Sequence, residues 1–207
     1  MDLQFYGANC LSISHKGARI VIDDNLAELG AKSITKPDDV VLFTSHAHEE
    51  LNARLIFDSP GEYEVSDVSI VGIAAQAHMD GPDKLTATMF KLIIGEQSLL
   101  ITGHISPKLN DKQLEAIGHV DILVVPVGGN GYTTDPTGAL QIIKAIEPKL
   151  IIPTHYADKA LKFPVPQQDL AQALKELAME PKETVAKLRL KPNELTDVTQ
   201  LVILEKS

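Results

Sequence analysis

Apolar residues recur in short runs along the first half of the chain, each run closed by turn residues. This pattern predicts strands over residues 3–6, 11–14, 18–22, 40–44, 62–65 and 68–73. Gly17, Gly30, Pro60-Gly61 and Ser66-Asp67 punctuate them. Residues 88–94 and 98–102 continue the series around a Gly95-Glu96-Gln97 turn. The second half alternates between helical and extended patterns. Helices are predicted over 111–117, from Asp135-Pro136 to about Ile146, and over 167–179. Asp can accept from free backbone N–H groups at a helix start, and Pro suits the first helical position. Leu140, Ile143 and Ile146 would share one face, as would Leu170, Ala173, Leu174 and Leu177. Continuous apolar runs at 122–127 and 150–153 read as buried strands, and 201–204 as a last strand. Many strands followed by βα units predict an α/β protein whose sheets are covered by helices. No repeat, low-complexity stretch or linker divides the chain, so a single domain over 1–207 is expected.

Composition narrows the possibilities. The chain has 207 residues, 44% of them hydrophobic, enough for one sizeable core. Its net charge is −9 and no basic cluster appears, which argues against a nucleic-acid partner. Cys10 is the single cysteine, so an intrachain disulfide and a thiolate metal cluster are both excluded. The opening MDLQFYGANC lacks a secretory pattern, and no apolar run approaches the ~20 residues that span a bilayer. The expectation is a soluble, cytoplasmic protein with no membrane partner, acting on a small molecule. Oligomerisation is left open.

The seven histidines carry the chemistry. His46 and His48 follow VVLFTS, His78 follows VSIVGIAAQA, His104 follows LLITG, and His155 follows LIIPT. Each stands at or just after the end of a predicted strand, where layered α/β proteins assemble their sites. Neutral imidazole is the commonest biological metal ligand. Alone, a histidine after a strand is more often a hydrogen-bonded loop residue. Five such placements together point to a shared metal site. His15, in a Ser-His-Lys-Gly turn, and His119, which precedes its strand, read as surface residues.

These features resemble the metallo-β-lactamase fold, and within it the L-ascorbate-6-phosphate-lactonase-like branch of metal-dependent hydrolases. The likeness rests on H-x-H after a strand, with further single histidines after later strands. It also rests on PGEYEV at 60–65, VPVGGNGYTTD at 125–135, EPKLIIPTHY at 147–156, the opening YGANCLSI and the strand-end Ile22-Asp23. The resemblance covers nearly the whole chain. It implies an αββα sandwich with a metal site at one edge between two mixed sheets. The usual motif there is H-x-H-x-D-H, then a His, a bridging Asp and a last His, holding two ions.

The sequence departs from that motif. His46 and His48 match its first ligands, His78 its third His and His155 its last. Glu50 stands at the Asp position, Leu51 at the next His, and His104 at the bridging Asp. Ala8 stands where this branch often has His. A carboxylate can bridge two cations, whereas a neutral imidazole offers one lone pair and no charge. The expectation is therefore one transition-metal ion at most, held among His46, His48, His78, His104 and His155. Zn²⁺ is favoured, with Mn²⁺, Fe²⁺ or Ni²⁺ as alternatives.

Three functions fit. In a mononuclear hydrolase, metal-activated water attacks an ester, lactone or phosphoester, with Glu50 or Asp80 as proton acceptor. Tyr132 or Tyr156 could donate to the oxyanion, or simply pack in loops. Gly128, Gly129 and Gly131 could admit a substrate or form a turn. The alternatives are a non-catalytic binding or regulatory protein with at most a structural ion, and a metal sensor.

Overall fold

A computed structural model of the chain describes residues 1–45, 51–81, 84–191 and 194–207. Two sheets form. The first has six strands in the order β13(Leu188–Arg189), β1(Asp2–Gly7), β2(Cys10–His15), β3(Ala18–Ile22), β4(Val40–Leu42), β5(Leu55–Phe57). The second has eight, in the order β12(Glu183–Val185), β14(Gln200–Leu204), β11(Leu150–Thr154), β10(Ile122–Pro126), β9(Gln97–Ile101), β8(Ala87–Ile94), β7(Val68–Ala75), β6(Gly61–Val65). The strands β6 to β9 form an antiparallel meander, and β9, β10, β11 and β14 run parallel.

Alternation along the strands sorts side chains into layers. Leu3, Ile13, Ile20 and Leu42 face Phe90, Leu92, Ile101, Val124 and Ile152 between the sheets. On the far side of the eight-stranded sheet, Leu100, Leu123, Val125 and Ile151 pack against Ile117, Ala139, Ile142, Ala173 and Leu177. Those last five come from, or border, the helices α1(Asp111–Ile117), α2(Pro136–Ile146) and α3(Leu170–Leu177). Both faces of β9, β10 and β11 are thus buried, which is why their sequences are continuous apolar runs. The outer face of the six-stranded sheet is covered differently. There Leu26, Leu29 and Leu161, from non-helical segments, pack on Val21, Val41 and Phe43.

The helix ends follow their sequence signals. Asn110 accepts from the Gln113 backbone N–H at 3.0 Å, and the Gln113 side chain accepts from the Asn110 N–H at 3.0 Å. Asp135 caps α2 by accepting from Gly138 N–H at 2.7 Å, with Pro136 at the first position. The face of α2 centres on Ala139, Ile142 and Ile143, with the expected Leu140 and Ile146 at its margins. Among the described residues, no helix is long and apolar enough to cross a membrane.

Candidate functional site

The strands β7, β9 and β11 point the same way, so the segments that leave them emerge at one end of the sandwich. Those leaving β7 and β9 run side by side. Ala77 bridges Ile105, His78 N–H donates to the His104 carbonyl at 2.7 Å, and Ser106 N–H donates to the Gln76 carbonyl at 2.8 Å. The segment leaving β11 is tied to the other sheet. His155 N–H donates to the Ala8 carbonyl at 2.8 Å, and Thr154 Oγ1 donates to Asn9 Oδ1 at 2.8 Å.

These ties bring three of the five expected histidines to one place. The rings of His104 and His155 meet edge-on, centroids 4.5 Å apart. Tyr132 lies 5.6 Å from His104 and 5.7 Å from His155, and Phe163 is 5.0 Å from His155. A cleft of about 180 Å³ opens here, lined by Asn25, Ser45, His78, Met79, His104 and Tyr132.

Glycines permit this packing. Gly103 has φ +61°, and a Cβ there would lie 2.1 Å from Thr44 Oγ1. Thr44 is itself fixed, with its N–H and Oγ1 each donating to the Asp23 carboxylate at 2.7 Å. A Cβ on Gly128 would lie 2.0 Å from the His155 carbonyl and 2.3 Å from Gln167 Oε1. Gly128 therefore accommodates the protein's own chain. Gly129, with φ +64°, adopts a left-handed turn conformation.

The protonation of the two buried rings follows from their partners. Gln167 Nε2 donates to the Val165 carbonyl at 2.7 Å, which turns Oε1 toward His155 Nδ1 at 3.1 Å. By that network Nδ1 carries the proton and Nε2 keeps a free lone pair. Burial lowers His155 to about 3, aided by neighbouring His104 and opposed by the Gln167 bond. Burial likewise lowers His104 to about 4, opposed by a bond to the Tyr132 carbonyl and aided by His78. Both rings are neutral at pH 7, the form that ligates metals. His78 Nδ1 is buried without a partner among the described residues. This set of imidazoles, two neutral and a third, His78, with an orphaned nitrogen, fits a borderline-soft divalent cation. Among the described residues, no three His, Cys, Asp or Glu side chains already form a metal-holding group. His46, His48 and Glu50 lie outside the described residues.

The other expected residues make contacts of their own. The Asp80 carboxylate accepts from Thr86 Oγ1. Tyr156 turns away from the histidines, its ring 5.7 Å from Phe5 and its hydroxyl toward the Leu204 carbonyl. Burial raises Tyr156 to about 12, with Asp158 adding to the shift. Of the two tyrosines, Tyr132 is the one in the cleft. Leu51 and Ala8 belong to the apolar cluster on the outer face of the six-stranded sheet. His119 bonds Asp121 at 3.0 Å, and His15 ends β2, so neither joins the cluster. Gln167, Asn25, Ser45 and Phe163 had not been singled out from the sequence. Gln167 stands two residues before a helix cap, and nothing local marks it as a histidine partner.

A profile for the beta-lactamase superfamily domain matches residues 2–155. The chain belongs to this superfamily. A UPF0173 metal-dependent hydrolase of Carboxydothermus hydrogenoformans is 42% identical over 67 residues, 32% of this chain. That match spans only 29% of the relative's length. A UPF0173 protein of Pyrococcus abyssi is 25% identical over 185 residues, covering 75% of this chain and 83% of the relative. Among solved structures, a candidate zinc-dependent hydrolase of the metallo-β-lactamase superfamily from Thermotoga maritima superposes with a TM-score of 0.78. It is 26% identical, and the match covers 99% of this chain and 98% of that one. Superfamily membership accords with the two-sheet sandwich.

Proposed function

We propose that this chain is a metal-dependent hydrolase with one ion, acting on a small ester, lactone or phosphoester. The observation that carries this reading is that His78 and His104 line one cleft while the His155 ring abuts His104, with both deeply buried rings neutral. The names of the Carboxydothermus and Thermotoga proteins point the same way. His78, His104 and His155, together with His46 and His48, would hold the ion. When bound, the ion supplies Lewis acidity to the substrate and a lowered pKa to water.

The chain's own residues do the rest. Gln167 fixes the ring orientation and tautomer of His155. Phe163 packs on the same ring and limits its movement. The Tyr132 phenol is held above its ordinary value by burial and by the charge of Glu28, so it keeps its proton. It can donate that hydrogen bond to an oxyanion in the cleft. Glu50 is the favoured proton acceptor, since Asp80 is engaged with Thr86. Leu51 and Ala8 favour a single ion. Both are committed to apolar packing at positions where the resemblance implies histidines.

Elemental analysis of protein purified without a tag or chelator tests this reading. The expected content is about one equivalent of zinc or a similar metal, as for one set of imidazole ligands. His104→Ala and His155→Ala should each lower it. Activity against a panel of esters, lactones and phosphodiesters should vanish with a chelator and return with metal. Two equivalents would refute the mononuclear site. Metal-free protein that stays metal-free in zinc would refute the hydrolase.

A further inference from the structure

The sandwich has four sheet edges among the described residues: β13 and β5 on one sheet, β12 and β6 on the other. An unprotected edge is a template for pairing with another chain, and proteins usually blunt it with charge, proline or shortness. Three of these edges are blunted. The two-residue β13 follows Lys187 and ends in exposed Arg189. Exposed Pro181, Lys182 and Glu183 open β12. Antiparallel self-pairing of β6 about Tyr63 would set exposed Glu62 against Glu64.

The fourth edge differs. The only strand partner of β5 among the described residues is β4, and β5 exposes Leu55 at 40% and Ile56 at 39%. Its flanks are Arg54 and Asp58, both exposed. The sequence Arg54-Leu55-Ile56-Phe57-Asp58 is self-complementary when read against itself in the antiparallel sense. Centred on Ile56, the pairing sets Arg54 opposite Asp58 of the second copy, and Leu55 opposite Phe57. Strand alternation then puts both Arg–Asp pairs and the Ile56 pair on one face, and both Leu–Phe pairs on the other. Opposite charges and apolar side chains directly across an antiparallel pair are each stabilising. Arg54 makes no ion pair among the described residues, so its charge is available for this role.

We propose that β5 is a homodimer interface, in which two copies pair edge to edge about Ile56 and join their six-stranded sheets into one continuous sheet. Five residues a side bury less than the ~1,200 Å² of a standard interface, so the dimer is weak, with a Kd of about 10–100 µM. The two-fold relation makes each contact occur twice.

Sedimentation across a concentration series tests this, with circular dichroism to verify the fold of every variant. The wild-type chain should pass from monomer to dimer as concentration rises through that range. Ile56→Lys should stay monomeric. Arg54→Asp and Asp58→Arg should each weaken self-association about tenfold, because like charges then face each other twice. Mixing those two variants should restore the dimer, since the carboxylates of one chain then meet the guanidinium groups of the other. A chain that remains monomeric at several hundred micromolar overturns the proposal. So does a dimer indifferent to all three substitutions, or a mixture that pairs no better than its components.

Discussion

Gly103 illustrates how much a site can rest on one missing methyl group. Its left-handed backbone lets the chain lie against Thr44 and delivers His104 into the cleft. Gly103→Ala would add both steric overlap and an unfavourable φ, at a cost of roughly 2–4 kcal/mol. A lowered thermal midpoint would register it. Gln167 acts through another residue. Gln167→Leu keeps the side chain's approximate size but removes the acceptor for His155 Nδ1. Metal affinity is expected to fall about 10- to 100-fold while the fold persists. Competition with a coloured chelator measures the first effect, and circular dichroism the second. An unchanged affinity would mean that His155 does not ligate.

At the scale of elements, Asp121 joins the segment before β10 to the start of β9. Its carboxylate accepts from Ser98 N–H at 2.9 Å and Oγ at 3.0 Å, and pairs with His119 at 3.0 Å and Lys149 at 3.2 Å. Burial would raise this carboxyl, but the Ser98, His119 and Lys149 bonds outweigh it and hold it below the ordinary carboxylate value. The stability it contributes is therefore complete above pH 3.8, the ordinary value, and is lost as pH falls through the lower folded value. Asp121→Ala should cost roughly 2–3 kcal/mol at pH 7. That difference from the wild type should shrink in strong acid, as read by urea unfolding at several pH values. Long elements were legible in the sequence because their apolar runs had room to show a period. The third strand, 18–22, and the first helix, 111–117, formed with the expected bounds. The strands β5, β12 and β13 were not foreseen, since runs of two or three residues carry no period. The third helix was expected from 167 but begins at Leu170. Asp169 caps it, and Gln167 is drawn to His155 instead. The strand-end positions of His78, His104 and His155 were legible for a related reason, since the runs that precede them are long. Which of Tyr132 and Tyr156 faces the cleft depended on side-chain direction after a turn, which spacing does not encode.

For the molecule as a whole, stability rests on the layer between the sheets. Phe90 is fully buried there, among side chains from both sheets. Phe90→Ala should cost about 3–5 kcal/mol and lower the denaturant midpoint without changing which metal is bound. The outer layers divide the labour. Helices back the sheet that carries His78, His104 and His155, whereas non-helical segments back the sheet that carries Ala8 and β5.

The bonds that hold the site together span unusual distances along the chain. Thr154 and Asn9, joined by a hydroxyl, are 145 residues apart, and His155 meets Ala8 beside them. Most other neighbours in the first sheet and in the β6–β9 meander are close in sequence. Local hairpins close quickly, and long loops close slowly. As the chain leaves the ribosome, the early strands can pair long before Thr154 emerges. The His104–His155 ring pair, by contrast, cannot form until it does. The site is completed late in folding, and a nascent chain stalled before β11 would carry the cleft lining of His78, His104 and Tyr132 but not His155.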